Sequence, residues 1–482
     1  MYGLSNPGNP NNPSNPGNLS NRSDPNNPNN PSNLSNSSNP GNLSNPSNLS
    51  NPSNPSNPGN LSNRSDPNNP SNPGNPNSSN LREEKAKGAL HKKALYGQDI
   101  DLEQFSLKAP DEPYQKDLRQ LPAELSRQVL SAGIETHEIG RSGTYFQKNH
   151  SVLHCQIHQE GVEILNIDDA LAKYEWLRDY WWKMVPVDQD KYTAWAYLHP
   201  HHGYFIRALA GVKTTFPVQS CLYVEQDNLV QNVHNIIIAE EGSELDVITG
   251  CAARPRIKKG LHIGISEFYV KKGARLTFTM IHNWAEDMDV RPRSAAWVDA
   301  SGILISNYIS MKPIRSLQMY PAAYLQGKDA LVRYYNILVA TRGSDLDIGS
   351  RVSLEAPGSR AEVVSRAISA GGRIWSRGRL VGKARDIKAH LECRGLILEE
   401  GGMIEAIPEL EGHLPGIDLS HEAAVGKIAQ EEINYLMARG LSEAEAVAAI
   451  VRGFLTVDIV GLPRELQKEL NRVVEESEKS LL

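Results

Sequence analysis

IIIAEEGSELDVI, residues Ile236–Ile248, is a run of β-branched side chains, then an acidic corner closed by glycine, then a strand in which apolar and polar residues alternate. Three further stretches share that design: FYVKKGARLTFTM (Phe268–Met280), VSLEAPGSRAEVV (Val352–Val364) and LILEEGGMIEAIP (Leu396–Pro408). Alternation with period two marks a strand with two unlike faces, and glycine supplies the backbone freedom that a tight corner needs. Hairpin dipeptides are few, so the pattern favours stacked rungs of a β-solenoid, each burying its apolar face on the next. The spacing of the four stretches is irregular, which speaks against a strict short repeat, and a β-sandwich is the alternative from pattern alone. The expected fold class is mainly β, with this solenoid core spanning residues 214–415.

Working outward, residues 81–213 read as a helical or mixed region. REEKAKGALHKKAL and LPAELSRQVLSAG are short helical patterns, and Asp168 and Asp169 suit the start of a helix running from Ile167 to Trp182. Residues 1–80 are an Asn/Pro/Ser tract in which NLSNRSDPNNP occurs at Asn18–Pro28 and again at Asn60–Pro70. Frequent proline removes backbone donors and there is little to bury, so the tract is expected to be disordered. Residues 416–482 read as a helical unit. Ser420 is an expected N-cap for a helix reaching Gly440, Ser442 and Glu445 form a capping box, and Pro463 opens a last amphipathic helix.

The net charge of −6 is mildly acidic, which argues against nucleic acid as partner, since phosphate binding rests on a basic face. No apolar run approaches the roughly 18 residues of a membrane span and no signal peptide opens the chain, so a cytoplasmic protein that meets no membrane is expected. Four scattered cysteines without a CxxC pair favour free thiols over a disulfide framework. No GxxxxGK[ST] loop and no GxGxxG fingerprint is present, so the chain is not expected to bind nucleotide by itself.

What remains is a set of separated ligands. HLECRG places His390 and Cys393 three residues apart, and on an extended strand those two positions face opposite ways. A thiol beside Arg394 can have a lowered pKa and act as thiolate, the form that binds iron or accepts sulfur, and a buried structural cysteine is the other reading of this segment alone. His421 and Glu422, in DLSHEAAVGKIAQEE, suit a helix start: the dipole favours the carboxylate and keeps the imidazole neutral, the form that binds metal. Cys251 follows a strand in VITGCAARP, and IHNWAED brings His282 and Trp284 soon after.

Cys393 near the end of a β region, followed by SHEAAVGKIAQEEINYLMARGLSEAEAVAAIVRGFL, resembles the C-terminal signature of the SufB/SufD family of the SUF iron–sulfur cluster assembly system. The resemblance runs from about Ile134 to Leu482 and is strongest over Cys393–Phe454. It implies a right-handed parallel β-helix flanked by N- and C-terminal helical regions, a non-enzymatic scaffold role, and a C-terminal unit on which a SufC-type ABC ATPase docks. It also implies a transient iron–sulfur cluster held by Cys393, Glu422 and His421, with His390 or His413 as further ligands. Cys251 corresponds to the cysteine that receives sulfur from a donor protein, and His282–Trp284 to a segment along the sulfur route. Retention of both cysteines favours a SufB-like over a SufD-like subunit, pairing with itself or with a SufB/SufD paralogue. Neither the residues nor the resemblance assigns a flavin. The chain departs from the family at His282, where glutamine is usual, at Tyr223 and Glu225, and at Ser420. A different class, a carbohydrate-active β-helix enzyme, would rest on Asp345 and Asp347 in GSDLDIGS.

Overall fold

At each of the four quoted corners the glycine has positive φ: 68° at Gly242, 64° at Gly273, 74° at Gly358 and 85° at Gly401. Each corner carries the chain from one sheet to another. The computed structural model describes residues 76–455, so the expected disorder of the Asn/Pro/Ser tract up to residue 75 and the helix expected from Pro463 lie outside the described residues; residues 76–80, expected to belong to the disordered tract, are instead the start of a helix.

The solenoid is entered through two antiparallel pairs, β1 (Gly143–Lys148) with β2 (Ser151–Ile157) and β3 (Val162–Asn166) with β4 (Tyr204–Ala208). Then follow β5 (Val218–Val224), β6 (Val230–Ala239), β7 (Glu244–Ala253), β8 (Gly260–Val270), β9 (Arg275–Asn283), β10 (Met288–Val290), β11 (Arg293–Val298), β12 (Ile303–Ser310), β13 (Ser316–Met319), β14 (Ala322–Leu325), β15 (Leu331–Thr341), β16 (Asp345–Leu354), β17 (Arg360–Ala370), β18 (Arg373–Gly382), β19 (Lys388–Ile397), β20 (Met403–Gly412) and β21 (Asp418–Gly426). One sheet has the order β2-β1-β5-β7-β9-β12-β15-β17-β19-β21, and every pairing from β1–β5 onward is parallel. The second sheet holds the remaining strands and ends in β16–β18–β20. The chain alternates between the sheets, which makes a parallel β-solenoid of about eight turns.

The register gives the turn length. Phe278, Ser306, Tyr334, Val363, Leu391 and His421 are successive stacked partners, 28 to 30 residues apart. This explains the irregular spacing of the quoted stretches. The first two corners are one turn apart and the third lies three turns further on; all three lead into the first sheet, whereas the fourth leads from β19 to β20 in the second.

Over β5–β8 both faces of the sheets are buried, as parallel sheets require, and the outer face opens toward β21. The lumen holds the main apolar cluster, including Leu222, Val247, Phe278, Leu304, Val332, Val363 and Leu391. Helices cover the outside. α1 (Pro76–Ala89) and α4 (Lys191–Leu198) lie over Val230, Leu261 and Ile263, while α2 (Ala123–Leu130) lies over Phe146, Cys221 and Tyr223. α3 (Ile167–Lys173) gives way to a 3-10 turn at Glu175–Asp179, so the helix expected over 167–182 is two short pieces. Beyond the solenoid come α5 (Gln430–Met437) and α6 (Glu443–Leu455), the latter set by its Val451 and Leu455 against Ile305, Ile337 and Ile368. The capping box at α6 is present: Ser442 N–H donates to Glu445 Oε2 at 2.8 Å and Glu445 N–H to Ser442 Oγ at 3.3 Å. Among the described residues no helix is long and apolar enough to cross a membrane.

The helix expected from Ser420 is a correction. Residues 418–426 form the last strand, β21, and helix begins only at Gln430. HEAAVG has good intrinsic helix propensity, but the free edge of β19 offers a ladder partner at every residue from Lys388 to Leu396, and such tertiary pairing overrides weak local preference. The solenoid thus runs beyond residue 415, and the region before it carries β1–β4 besides helices.

Candidate functional site

All four cysteines are free thiols. Cys251 lies on β7 and faces the lumen, fully buried. Burial raises its pKa far above the ordinary thiol range, so it holds its proton. Its register partners are Leu222 on β5 and His282 on β9. Cys221, one rung earlier, points out of the lumen into the layer under α2. Tyr223 shares that outer face, and Glu225 pairs with Lys148, so both departures from the family stand outside the lumen.

Two residues before Cys251 in the strand, Thr249 begins a second lumen row. Thr249 stacks on Met280, Met280 on Tyr308, Tyr308 on Asn336, Asn336 on Ser365 and Ser365 on Cys393. Ser220 joins at the other end, its Oγ 2.7 Å from Thr249 Oγ1, and Asn336 Nδ2 donates to Ser365 Oγ at 3.3 Å. A mostly polar row thus connects the rung of Cys251 with that of Cys393. Five strand spacings of about 4.8 Å set those rungs about 24 Å apart. Sequence reading missed this row. Its signal is the recurrence of Tyr308, Asn336, Ser365 and Cys393 at 28 or 29 residues, invisible until the turn length is known.

Cys393 lies on β19, 3% exposed, facing the lumen. Burial raises its pKa, and a hydrogen bond from Ser376 and the charge of Arg366 lower it by less. The thiolate reading is therefore corrected in favour of the buried, protonated cysteine. Arg394 lies on the opposite face, bound to Glu392 at 2.6 Å and to Glu422 at 3.3 Å. β21 continues this alternation. Leu391 pairs with His421, Glu392 with Glu422 and Cys393 with Ala423, so His421 shares the lumen face with Cys393 while Glu422 lies outside with Glu392. His390 is also outside, its Nδ1 2.9 Å from Ser420 Oγ. His413 Nε2 contacts Glu411 Oε1 at 2.7 Å.

Within one chain the expected ligands are thus split: Cys393 and His421 on one face, Glu422 and His390 on the other. In agreement, no three His, Cys, Asp or Glu side chains among the described residues converge as a metal site. The helix dipole invoked for His421 and Glu422 does not act there, because both stand on a strand. The four stand on two adjacent strands, His390 and Cys393 on β19 and His421 and Glu422 on β21. β21 ends its sheet, and His421 and Glu422 are exposed.

Asp345 and Asp347 do share the outer face of β16, but each carboxylate is taken up by an arginine. Arg373 donates to Asp345 at 2.6 and 2.7 Å, and Arg377 to Asp347 at 2.6 and 3.1 Å. Two carboxylates locked in bidentate pairs are not poised as the acid and base of glycoside cleavage.

Residues 222–454 match the family model described as SUF system FeS cluster assembly, SufBD core domain. The chain is similar to the iron–sulfur cluster assembly SufBD family protein of Methanothermobacter thermautotrophicus Delta H, 48% identical over 404 residues that cover 83% of this chain and 98% of that one. It is 50% identical over 354 residues to a SufBD family protein of Archaeoglobus fulgidus, covering 73% and 95%. To the iron–sulfur cluster assembly protein SufB of Bacillus subtilis it is 30% identical over 383 residues, covering 76% and 80%.

Proposed function

The chain belongs to the SufBD family of iron–sulfur cluster assembly proteins, and from that premise we propose that it is a SufB-like scaffold, not an enzyme: it accepts sulfur at Cys251 and holds a nascent cluster at Cys393. The observation that carries this reading is the polar lumen row between the two cysteine rungs. A wholly apolar lumen would pass no sulfide or persulfide, whereas hydroxyl and amide groups recur every 28 or 29 residues from Tyr308 through Asn336 and Ser365 to Cys393, with Met280 the one apolar member between them and Thr249.

Iron and sulfide are the cargo. Cys393 and His421 serve as ligands from the lumen side, and Glu422 and His390 from the outside. β21 is the last rung, so the two sides meet at its edge, where a second copy or a SufB/SufD paralogue pairs. Mixed thiolate, imidazole and carboxylate ligation suits a scaffold, since it holds iron less tightly than four thiolates and so releases the cluster. Binding there displaces the Cys393 proton, because the metal takes the thiolate. The nucleotide chemistry belongs to a SufC-type ATPase docked at α5 and α6, and the sulfur comes from a separate donor protein. The setting is the cytoplasm.

The test is anaerobic reconstitution of the full chain with ferrous iron and sulfide, followed by absorption and Mössbauer spectra. Cys393→Ser is expected to abolish the cluster signal and Glu422→Gln to shorten its lifetime. An undiminished yield in Cys393→Ser overturns the reading in favour of a SufD-like structural subunit.

A further inference from the structure

His282 is the register partner of Cys251, on the same lumen face one rung further. Cross-strand neighbours stand about 4.8 Å apart, so thiol and imidazole share one patch of lumen. His282 Nδ1 lies 2.6 Å from the Tyr308 hydroxyl. That hydroxyl also bonds the side chain of Ser310, itself the partner of His282 on β12. Nε2, by contrast, is buried and has no hydrogen-bond partner, the Cys251 thiol included, so a small turn of either side chain must bring the two together during loading. A buried polar atom left so costs about 1–3 kcal/mol and calls for a reason.

The ring borders a lumen cavity of about 50 Å3 that His262, Met280, Tyr308 and Asn336 also line. No Asp, Glu, Lys or Arg lines it. The titratable groups against His282 are His262 on β8 and Tyr308 on β12, with Cys251 its register neighbour on β7. Burial, helped by His262, keeps His282 neutral, and burial keeps Cys251 protonated. A protonated thiol is a poor nucleophile, so loading sulfur onto Cys251 needs a base inside the lumen.

Resting on the proposed role of Cys251, we infer that His282 is that base: its Nε2 receives the Cys251 proton as sulfur is loaded. With Nδ1–H donated to the Tyr308 oxygen, Nε2 presents its lone pair. The Cys251 S–H gives its proton to Nε2, and the sulfur attacks the terminal sulfur of a persulfide R–S–SH. The donor S–S bond breaks as the new one forms, and RS− leaves and takes the proton back from the imidazolium. The products are Cys251–S–SH and RSH, with no net oxidation or reduction, and His282 returns to the neutral state.

The experiment loads the full-length protein anaerobically with glutathione persulfide and follows the one-sulfur mass gain of the Cys251 peptide from about pH 6 to 9. The wild-type rate is expected to be nearly flat. In His282→Gln, which keeps the shape and is the residue usual in the family, loading at pH ~7 is expected to fall about 100-fold. Its rate then climbs about tenfold per pH unit, because the thiolate must form without a base. A purely structural histidine would not change that slope. Wild-type rate and slope in His282→Gln overturn the inference. Should that variant not fold, Tyr308→Phe decides: it keeps the imidazole but frees Nδ1, and an unchanged profile there overturns the inference equally. If wild-type Cys251 takes no sulfur, the acceptor role itself fails, whereas loading indifferent to His282 removes only this step.

Discussion

At the scale of single residues, one buried cluster and one half-buried cluster tie the N-terminal region to the solenoid. Glu267, fully buried on β8, accepts N–H groups from Trp182 at 2.7 Å, Met184 at 2.5 Å and Val185 at 3.1 Å, and contacts His234 Nε2 at 2.9 Å. Glu267→Ala strips four groups of their acceptor and is expected to cost about 3–5 kcal/mol in urea unfolding; a loss under about 1 kcal/mol would contradict the clamp. The second cluster is pH-sensitive. Glu138 Oε1 lies 3.1 Å from His154 Nε2 and 3.0 Å from His158 Nε2, while His154 Nδ1 lies 2.7 Å from the Gln115 carbonyl. Burial pushes Glu138 up, but hydrogen bonds from His154, Thr144 and His158 outweigh it and hold the carboxyl at about 2. Burial pushes His154 down, but its bonds to Glu138 and Gln115 outweigh that and raise it. A raised histidine stabilises fully below its unfolded pKa of about 6.5, and this is lost as pH rises through the folded value. A depressed carboxylate stabilises fully above about 4.3, and this is lost as pH falls toward 2. Both contributions are complete only between about pH 4.3 and 6.5. His154→Gln should flatten the alkaline limb of melting temperature against pH, and an unaltered limb would show that His154 is not the group responsible.

At the scale of elements, close approach decides what fits. A Cβ at Gly250, beside Cys251 on β7, would lie 2.6 Å from the Ala132 carbonyl oxygen and 2.7 Å from Ile134 Cγ1. The segment after α2 must then shift, so Gly250→Ala is expected to cost about 1–3 kcal/mol. A wild-type melting midpoint would mean that Ala132–Ile134 does not bear on β7. Elements also show where sequence reading reached and where it stopped. The corner glycines and the α6 capping box were readable, because turn and cap chemistry is local. The period was not, because three of the quoted corners lead into one sheet and the fourth into the other. β21 was misread because HEAAVG carries helix propensity, whereas its strand state depends on β19, an element outside the local window. The opposite faces of Cys393 and Arg394 follow from alternation alone, so the thiolate expectation gave way to a rule already in the sequence. The row of Tyr308, Asn336 and Ser365 needed the turn length first.

At the scale of the molecule, the two ends of the solenoid differ. The first turns are closed by the antiparallel pairs β1–β2 and β3–β4, and antiparallel partners stop parallel stacking. At the other end nothing among the described residues pairs with the outer edges of β20 and β21, and Leu410, Leu414 and Val425 are 36 to 41% exposed. An open parallel edge with apolar side chains invites another strand, and a like edge on a second copy meets the need symmetrically. That pairing would also bring Cys393, His421 and Glu422 of two chains to one seam, which the single chain cannot do. Association links stability to concentration, so each tenfold dilution of the wild type should lower the melting midpoint by roughly 1–3 °C. Val425→Lys, which puts two like charges at the open lumen end of the seam beside Gly395 and Ile404, should sediment as monomer and lose that dependence. It should also lose cluster reconstitution while retaining sulfur loading at Cys251, since that cysteine on β7 lies six strand spacings from β21. A variant that is monomeric yet builds the cluster at full yield would place the whole site within one chain, against the two-faced split of its ligands.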